Sequence, residues 1–280
     1  MCLEGDGGIR MKLSFSTLGC PDWGIEQIIE AARANGYDGV EVRHFKGSVD
    51  LPRALGDFPG GPSEFRRRFQ RAGIEICCLG SSVRLADADP STTEGERMIE
   101  LAMVLGAPYV RVFGGDIPAG ESREDCIKRA AAKLARLGQR AAQRRKRVLV
   151  ETHDAFSSGA LISGLLGAAG DQGTGVLWDL HHPFRAMKET PVETARFIGT
   201  RTYHSHVKDS NRDGGYCLLG DGEIPLDELV SELHKAGYRG YLSLEWEKAW
   251  HPELLGPEIA FPQAARYLSD MLAKLGVPRG

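Results

Sequence analysis

Residues 148–179 read VLVETHDAFSSGALISGLLGAAGDQGTGVLWD and contain one complete strand–helix–strand unit. Two short apolar runs end at Glu151 and at Asp179. Residues 160–169, between them, carry Ala, Leu and Ile in a pattern that predicts a helix. Two strands joined through a helix are typical of parallel pairing. The stretch therefore predicts an α/β fold.

The same alternation extends in both directions along the chain. The predicted strands cover 12–17, 39–43, 74–79, 109–113, 148–151, 175–179, 202–207 and 241–245, and a helical pattern follows each of them. Eight such units favour closure into a single-domain (β/α)8 TIM barrel over 11–280. An open doubly wound sheet is the alternative, but residues 16–19, after the first strand, lack the G-x-G-x-x-G pattern of dinucleotide folds.

Composition excludes several classes of protein. Of the 280 residues, 42% are hydrophobic and 26% charged, which is typical of a globular domain. The net charge of -3 gives no positive field for nucleic acid, and no apolar run is long enough for a membrane span. The six cysteines show no C-x-x-C spacing. Residues 1–10 are polar and resemble no signal peptide, so we expect a disordered lead-in and a cytoplasmic protein.

Metal-binding side chains end four consecutive predicted strands. These residues are Glu151, Asp179, His206 and Glu245. The C-terminal strand ends of such a barrel converge on one site, and burying carboxylates there is costly unless a cation compensates them. Three carboxylates and one imidazole suit Mn2+, Mg2+, Co2+ or Zn2+, and we expect Mn2+ first. The alternative is that the acids are surface groups at loop starts and His206 a core histidine.

Longer motifs surround these residues. They are Glu151-Thr-His153, Trp178-Asp-Leu-His-His182, His206-Val-Lys-Asp-Ser-Asn-Arg212, Gly220-Asp-Gly-Glu-Ile-Pro225 and Leu244-Glu-Trp-Glu247. Together they resemble the xylose isomerase-like superfamily, in particular its sugar phosphate isomerase/epimerase branch, with ketose 3-epimerases and inosose dehydratases. The resemblance covers nearly the whole chain from Met11.

The resemblance implies a function and a role for each residue. Glu151, Asp179, His206 and Glu245 would bind one divalent metal ion, and His182 and Arg212 would bind substrate oxygens. The reaction expected is isomerisation or epimerisation of a small sugar or polyol, by proton abstraction next to a carbonyl and a metal-stabilised enediolate. Glu151 and Glu245 would be the catalytic acid–base pair. Homodimers are common among similar proteins, and the oligomeric state stays open.

Three other functions remain open at this point. A dehydratase of a keto-inositol or a dehydroshikimate-like acid would use the same ligands. An enzyme of the endonuclease IV type would need additional histidines near the second to fourth strands, where the chain has Arg43-His44, Ser81-Ser82 and Phe113-Gly114-Gly115. A non-enzymatic barrel would bind no metal. The sequence also leaves open the roles of Arg43, Arg111, His153, His181 and Glu247.

Overall fold

The structure, a computed structural model, describes residues 10–89 and 91–280. The lead-in expected over 1–10 lies outside these residues, apart from Arg10. The strands are β1 Lys12–Ser16, β2 Gly39–Val42, β3 Glu75–Arg84, β4 Tyr109–Phe113, β5 Arg147–Glu151, β6 Thr174–Asp179, β7 Thr202–Val207, β8 Asp209–Ser210, β9 Tyr216–Cys217 and β10 Tyr241–Leu244. The α-helices are α1 Ile25–Ala34, α2 Leu51–Gly56, α3 Gly61–Ala72, α4 Thr93–Leu105, α5 Arg123–Gln143, α6 Gly159–Ala169, α7 His182–Met187, α8 Pro191–Ile198, α9 Leu226–Lys235 and α10 Pro257–Lys274.

Eight of the strands close into a parallel barrel. Their order around it is β1-β10-β7-β6-β5-β4-β3-β2. Closure joins the first strand to the last, with Phe15 opposite Leu244. The predicted TIM barrel is confirmed, since helices alternate with the barrel strands in one domain. Strands β5, β6, β7 and β10 are adjacent in this order, so their C-terminal ends meet at one part of the rim.

The helices cover the barrel with apolar faces. In α1, Ile25, Ile28, Ile29 and Ala32 recur at helical spacing and are buried, while the residues between them are mostly exposed. Ser122 accepts a hydrogen bond from the N–H of Asp125 and so caps the long helix α5. A capping box between Thr190 and Glu193 begins α8. Local caps and burial of apolar surface therefore agree on where these helices lie.

The barrel interior has an apolar layer beneath a polar one. Cys77, Cys78, Leu149, Leu177 and Tyr241 form a buried cluster inside the strands. Side chains alternate along a strand, so Glu151 lies above Leu149 and Asp179 above Leu177 on the same inward face. The polar residues at the strand ends thus rest on a packed layer that fixes their height in the barrel.

Three elements were not predicted from the sequence. They are the short helices α2 and α7 and the antiparallel hairpin of β8 and β9. Strand β3 also extends past the predicted residue 79 to Arg84, which pairs with Phe113 of β4. These elements lie in segments that follow barrel strands, where they build the rim. Across the part of the chain that the structure describes, no helix has the length and apolarity needed to cross a membrane.

Close packing of α5 on the loop before β6 yields a prediction. A Cβ at Gly138 would lie 2.5 Å from the carbonyl oxygen of Gln172 and 2.5 Å from Thr174 Cγ2. We expect Gly138→Ala to lower the free energy of unfolding by about 1–3 kcal/mol through overpacking. Gly164→Ala is the matched helical control: it meets nothing within 4 Å and should raise stability by about 0.5–1 kcal/mol. Urea denaturation measures both, and equal effects would contradict the packing argument.

Candidate metal centre

The four predicted metal-binding residues meet at one point. One ligand atom from each of Glu151, Asp179, His206 and Glu245 lies within 4.8 Å of the others. His206 Nδ1 is 3.1 Å from Glu151 Oε1 and 3.2 Å from Glu245 Oε1. All four residues are buried. The convergence follows from the adjacency of β5, β6, β7 and β10, whose C-terminal ends carry these residues.

A buried cation lies beside each of the two glutamates. Arg111 Nε on β4 lies 3.3 Å from Glu151 Oε2. Lys208 Nζ, just after β7, lies 2.6 Å from Glu245 Oε2, 2.9 Å from Asp179 Oδ2 and 2.8 Å from Glu247 Oε1. Each glutamate therefore turns one oxygen toward His206 and the other toward its own cation. Sequence reasoning gave Lys208 no role, although it follows the motif histidine by two residues.

Glu41 of β2 fixes the orientation of His206. Its Oε2 lies 2.8 Å from His206 Nε2 and 2.9 Å from His204 Nε2. Because the Glu41 carboxylate accepts this hydrogen bond, His206 carries a proton on Nε2. The Nδ1 atom of His206 then points toward the acidic cluster. Sequence reasoning missed Glu41. Its signal was a lone acid inside the otherwise apolar strand Gly39–Val42.

The carboxyl groups of the cluster differ in acidity. Burial raises the pKa of Asp179 to about 6. The charge of Lys208 lowers this pKa, and repulsion by Glu245 and Glu151 offsets part of that lowering. Burial also raises the pKa of Glu245, but His206 and Lys208 bring it well below its usual range. For Glu151, Arg111 and His206 likewise outweigh burial, so its pKa is lowered. Asp179 is the carboxyl group whose ionisation would benefit most from an added positive charge.

The residues fit a divalent cation. Glu151 Oε2 and Asp179 Oδ2 are buried, and their partners among the described residues are ion pairs without hydrogen-bond geometry, with Arg111 and Lys208 respectively. Oxygen atoms with one imidazole nitrogen are a common donor set for Mn2+, Mg2+, Co2+ and Zn2+. The hydrogen bond from His206 to Glu41 is the kind that orients a metal-binding histidine. Buried oxygens, donor set and oriented imidazole support a divalent metal at this point.

His182 lies next to the cluster. Its Nε2 is 3.5 Å from Asp179 Oδ2 and has no hydrogen-bond partner within the described ranges. Burial and then the charge of Lys208 hold the pKa of His182 well below its usual value, so the ring is neutral. The neighbouring His181 instead makes a 2.8 Å hydrogen bond to Ser210 Oγ. Both histidines have a ring nitrogen within 4.8 Å of an Asp179 oxygen, and His182 differs from His181 in that its Nε2 has no hydrogen-bond partner among the described residues.

Arg212 is not brought into the cluster. It lies on the exposed turn between β8 and β9, and no ion pair among the described residues includes it. Tyr216, on the second strand of this hairpin, lies over the site: its ring centre is 5.7 Å from that of His181 and 5.8 Å from Lys208 Nζ. The hairpin therefore forms part of the rim, with Arg212 near its tip.

Asp209 holds the loop 220–224 against this hairpin. Its carboxylate accepts hydrogen bonds from the backbone N–H groups of Ser210, Gly220, Gly222 and Ile224, at 2.8–3.1 Å. A side chain at Gly222 would collide with Asp209. The Gly-Asp-Gly-Glu segment thus serves to wrap backbone donors around one buried carboxylate.

Comparison with known proteins agrees with the barrel fold. Residues 29–271 match the family model described as "Xylose isomerase-like TIM barrel". The chain belongs to this family. An inosose isomerase of Halalkalibacterium halodurans is 26% identical over 241 residues, which cover 78% of this chain and 80% of that protein. The resemblance inferred from the motifs is confirmed.

Two solved structures of the family's fold illustrate the likeness. A crystal structure of the protein IolI with a bound zinc atom has a TM-score of 0.81 at 22% identity and covers 95% of this chain and 99% of that one. An L-ribulose 3-epimerase has a TM-score of 0.76 at 16% identity, with 95% and 96% covered. Relatives with this barrel include enzymes, and one structure of the fold holds a metal ion.

The ion pairs of Lys208 yield a second prediction. Lys208→Met leaves three buried carboxylates without their shared cation, so in chelator-treated protein the free energy of unfolding should fall by about 3–5 kcal/mol. Lys235→Met breaks only an exposed pair with Glu232 and should change stability by less than about 1 kcal/mol. Chemical denaturation compares the two variants. A loss no larger than that of the control would show that the carboxylates do not depend on Lys208.

Proposed function

We propose that the protein is a divalent-metal-dependent isomerase or epimerase of a small sugar or polyol-derived ketose. The observation that carries the proposal is the convergence of Glu151, Asp179, His206 and Glu245 within 4.8 Å in a buried layer at the strand ends. Membership of the family and the relation to an inosose isomerase support the reaction class. Mn2+ is the ion we propose for this site.

We propose that Glu151 and Glu245 are the two bases of the reaction, and their positions support this. They come from the outer two of four adjacent strands, and each lies beside its own cation. One carboxylate removes the proton from the carbon next to the substrate carbonyl, and the other returns a proton from the opposite face. A positioned general base of this kind contributes about 10²–10⁴-fold. Asp179 and His206 complete the ligand set without moving protons.

The bound dication would supply Lewis-acid stabilisation of the negative charge that develops on the substrate oxygen. His182 offers a neutral imidazole nitrogen beside Asp179, so it can hydrogen-bond a substrate oxygen. Arg212 reaches the substrate only across the rim, so we propose that it contacts the substrate end distant from the metal. Lys208 and Arg111 keep Glu245 and Glu151 ionised and therefore able to accept a proton.

The proposed reaction predicts proton exchange with solvent. In deuterated water with Mn2+, the wild type should incorporate deuterium next to the carbonyl of a substrate ketose. Glu151→Gln and Glu245→Gln should each lower kcat for exchange by about 10²-fold or more. Glu253→Gln, at an exposed acid, is the control and should leave the rate unchanged.

A panel of ketoses and keto-inositols tests this by NMR and mass spectrometry. No incorporation into any of them would contradict the proposal. A product lighter by one water would instead identify a dehydratase, which begins with the same proton removal.

The oriented histidine predicts the strength of metal binding. Glu41→Gln weakens the hydrogen bond at His206 Nε2, so the affinity for Mn2+ should fall by about 10–100-fold. Glu75→Gln, at the opposite end of the barrel, removes the same charge beside Lys12 and should have no effect. Titration calorimetry on chelator-treated protein measures both. An unchanged affinity in the Glu41 variant would show that Glu41 does not orient the ligand.

A further inference from the structure

Arg43 is a buried cation that lacks an ion-pair partner. It is 6% exposed, and none of the ion pairs within residues 10–89 and 91–280 includes it. Of the five N–H groups of its guanidinium, one makes a hydrogen bond, from Nη1 to Ser82 Oγ at 3.2 Å. By contrast, the neighbouring Arg111 contacts both Glu151 and the carbonyl oxygen of Ser81. The two arginines of the barrel interior therefore differ in what they can still bind.

The fold places Arg43 above the acidic cluster on its inward side. Glu41 points inward, because it hydrogen-bonds His204 and His206. Arg43 directly follows the end of β2, one step closer to the mouth of the barrel. Its side chain lies beside that of Arg111, which pairs with Glu151, because a Cβ at Gly80 would meet both. Its backbone N–H is held by Thr17 Oγ1 at 3.0 Å. The side chain is thus directed toward the space over the cluster.

Gly80 of β3 makes room for two guanidinium groups side by side. A Cβ at Gly80 would lie 2.5 Å from Arg43 Cδ and 3.1 Å from Arg111 Nη2. Two cations in this proximity repel each other, and burial followed by the charge of Arg111 lowers the pKa of Arg43 to about 10. The unpaired nitrogens of Arg43 are not among the fully buried polar atoms, so solvent reaches them. A largely buried guanidinium whose open donors reach solvent, next to a second guanidinium, is suited to bind an oxyanion.

We propose that Arg43 binds an anionic group, a carboxylate or a phosphate, at the substrate end distant from the reacting carbonyl. This inference deepens the proposed function and rests on it, since it takes the substrate to lie over the acidic cluster. It assigns the site an acidic sugar or polyol derivative in place of a neutral one. The forked donors of Arg43 contact two oxygens of the anion, and Arg111 adds charge from the adjacent strand.

Unreactive ligands test the anion site separately from the reaction. The probes are D-glucitol, D-gluconate and D-glucitol 1-phosphate, which differ only at carbon 1 and contain no carbonyl to be isomerised. Titration calorimetry with Mn2+-loaded wild type should give binding at least about 10-fold tighter for one of the two anions than for glucitol. The tighter anion identifies carboxylate or phosphate as the preferred group.

Variants assign the preference to Arg43. Arg43→Gln should remove the preference for the anion. The affinity for the anion should fall by about 30-fold, and the affinity for glucitol should change little. Arg43→Lys keeps the positive charge but lacks the forked guanidinium donors, so it should retain part of the preference for the anion. Arg239→Gln removes an exposed arginine before β10 and should leave it unchanged. Metal content and the far-ultraviolet spectrum check that each variant is folded.

Three results would overturn the anion site: equal affinity for all three probes, no binding of either anion, or a preference that survives in Arg43→Gln. The last would mean that the anion binds the metal. Proton exchange with ketoses stays an independent measurement. If deuterium exchange occurs but Arg43 gives no preference for the anionic probes, only the anion site is refuted. If Arg43 gives that preference but no exchange occurs, only the proposed reaction is refuted.

Discussion

The hydrogen bonds that Glu41 accepts from His204 and His206 organise the centre of this barrel. A carboxylate with no exposed surface is stable only when its oxygens are paired. Here two imidazoles of one strand donate to Oε2, and Ser16 Oγ donates to Oε1 at 3.2 Å. This pairing joins β2 to β7 across the interior. It also determines which nitrogen of His206 faces the other acids. The arrangement of the remaining charges follows from that choice.

Compensation of buried charge explains the neighbours of the cluster. Arg111 lies beside Glu151, and Lys208 lies between Asp179, Glu245 and Glu247, so each carboxylate is near a cation. Removing one member of such a network leaves another buried charge without a partner, which lowers the free energy of unfolding. The site is therefore rigid for an electrostatic reason, in addition to its position on barrel strands.

Much of the fold and part of the site could be predicted from the sequence. Strand and helix patterns have different periods, so eight repeats were recognisable. Three acids and one histidine at the ends of four neighbouring strands pointed to one edge of the barrel. Glu41 is a lone acid in an apolar strand, but its role could not be predicted, because its two histidine partners lie more than 160 positions away along the chain. Arg43 and Arg111 look alike in sequence. Only the packing around Gly80 and the position of Glu151 separate the paired guanidinium from the unpaired one.

Asp209 anchors the loop 220–224 but not the hairpin tip, residues 211–215. These two parts of the rim are therefore constrained to different degrees. Four backbone donors surround a single carboxylate, so the shape of the loop depends on Asp209 and on the absence of a side chain at Gly222. Residues 211–215, at the hairpin tip, contribute no donor to that carboxylate. The tip can therefore vary in length and chemistry while the anchored base keeps its form. Variation between related barrels at this entrance would then alter selectivity without disturbing the interior.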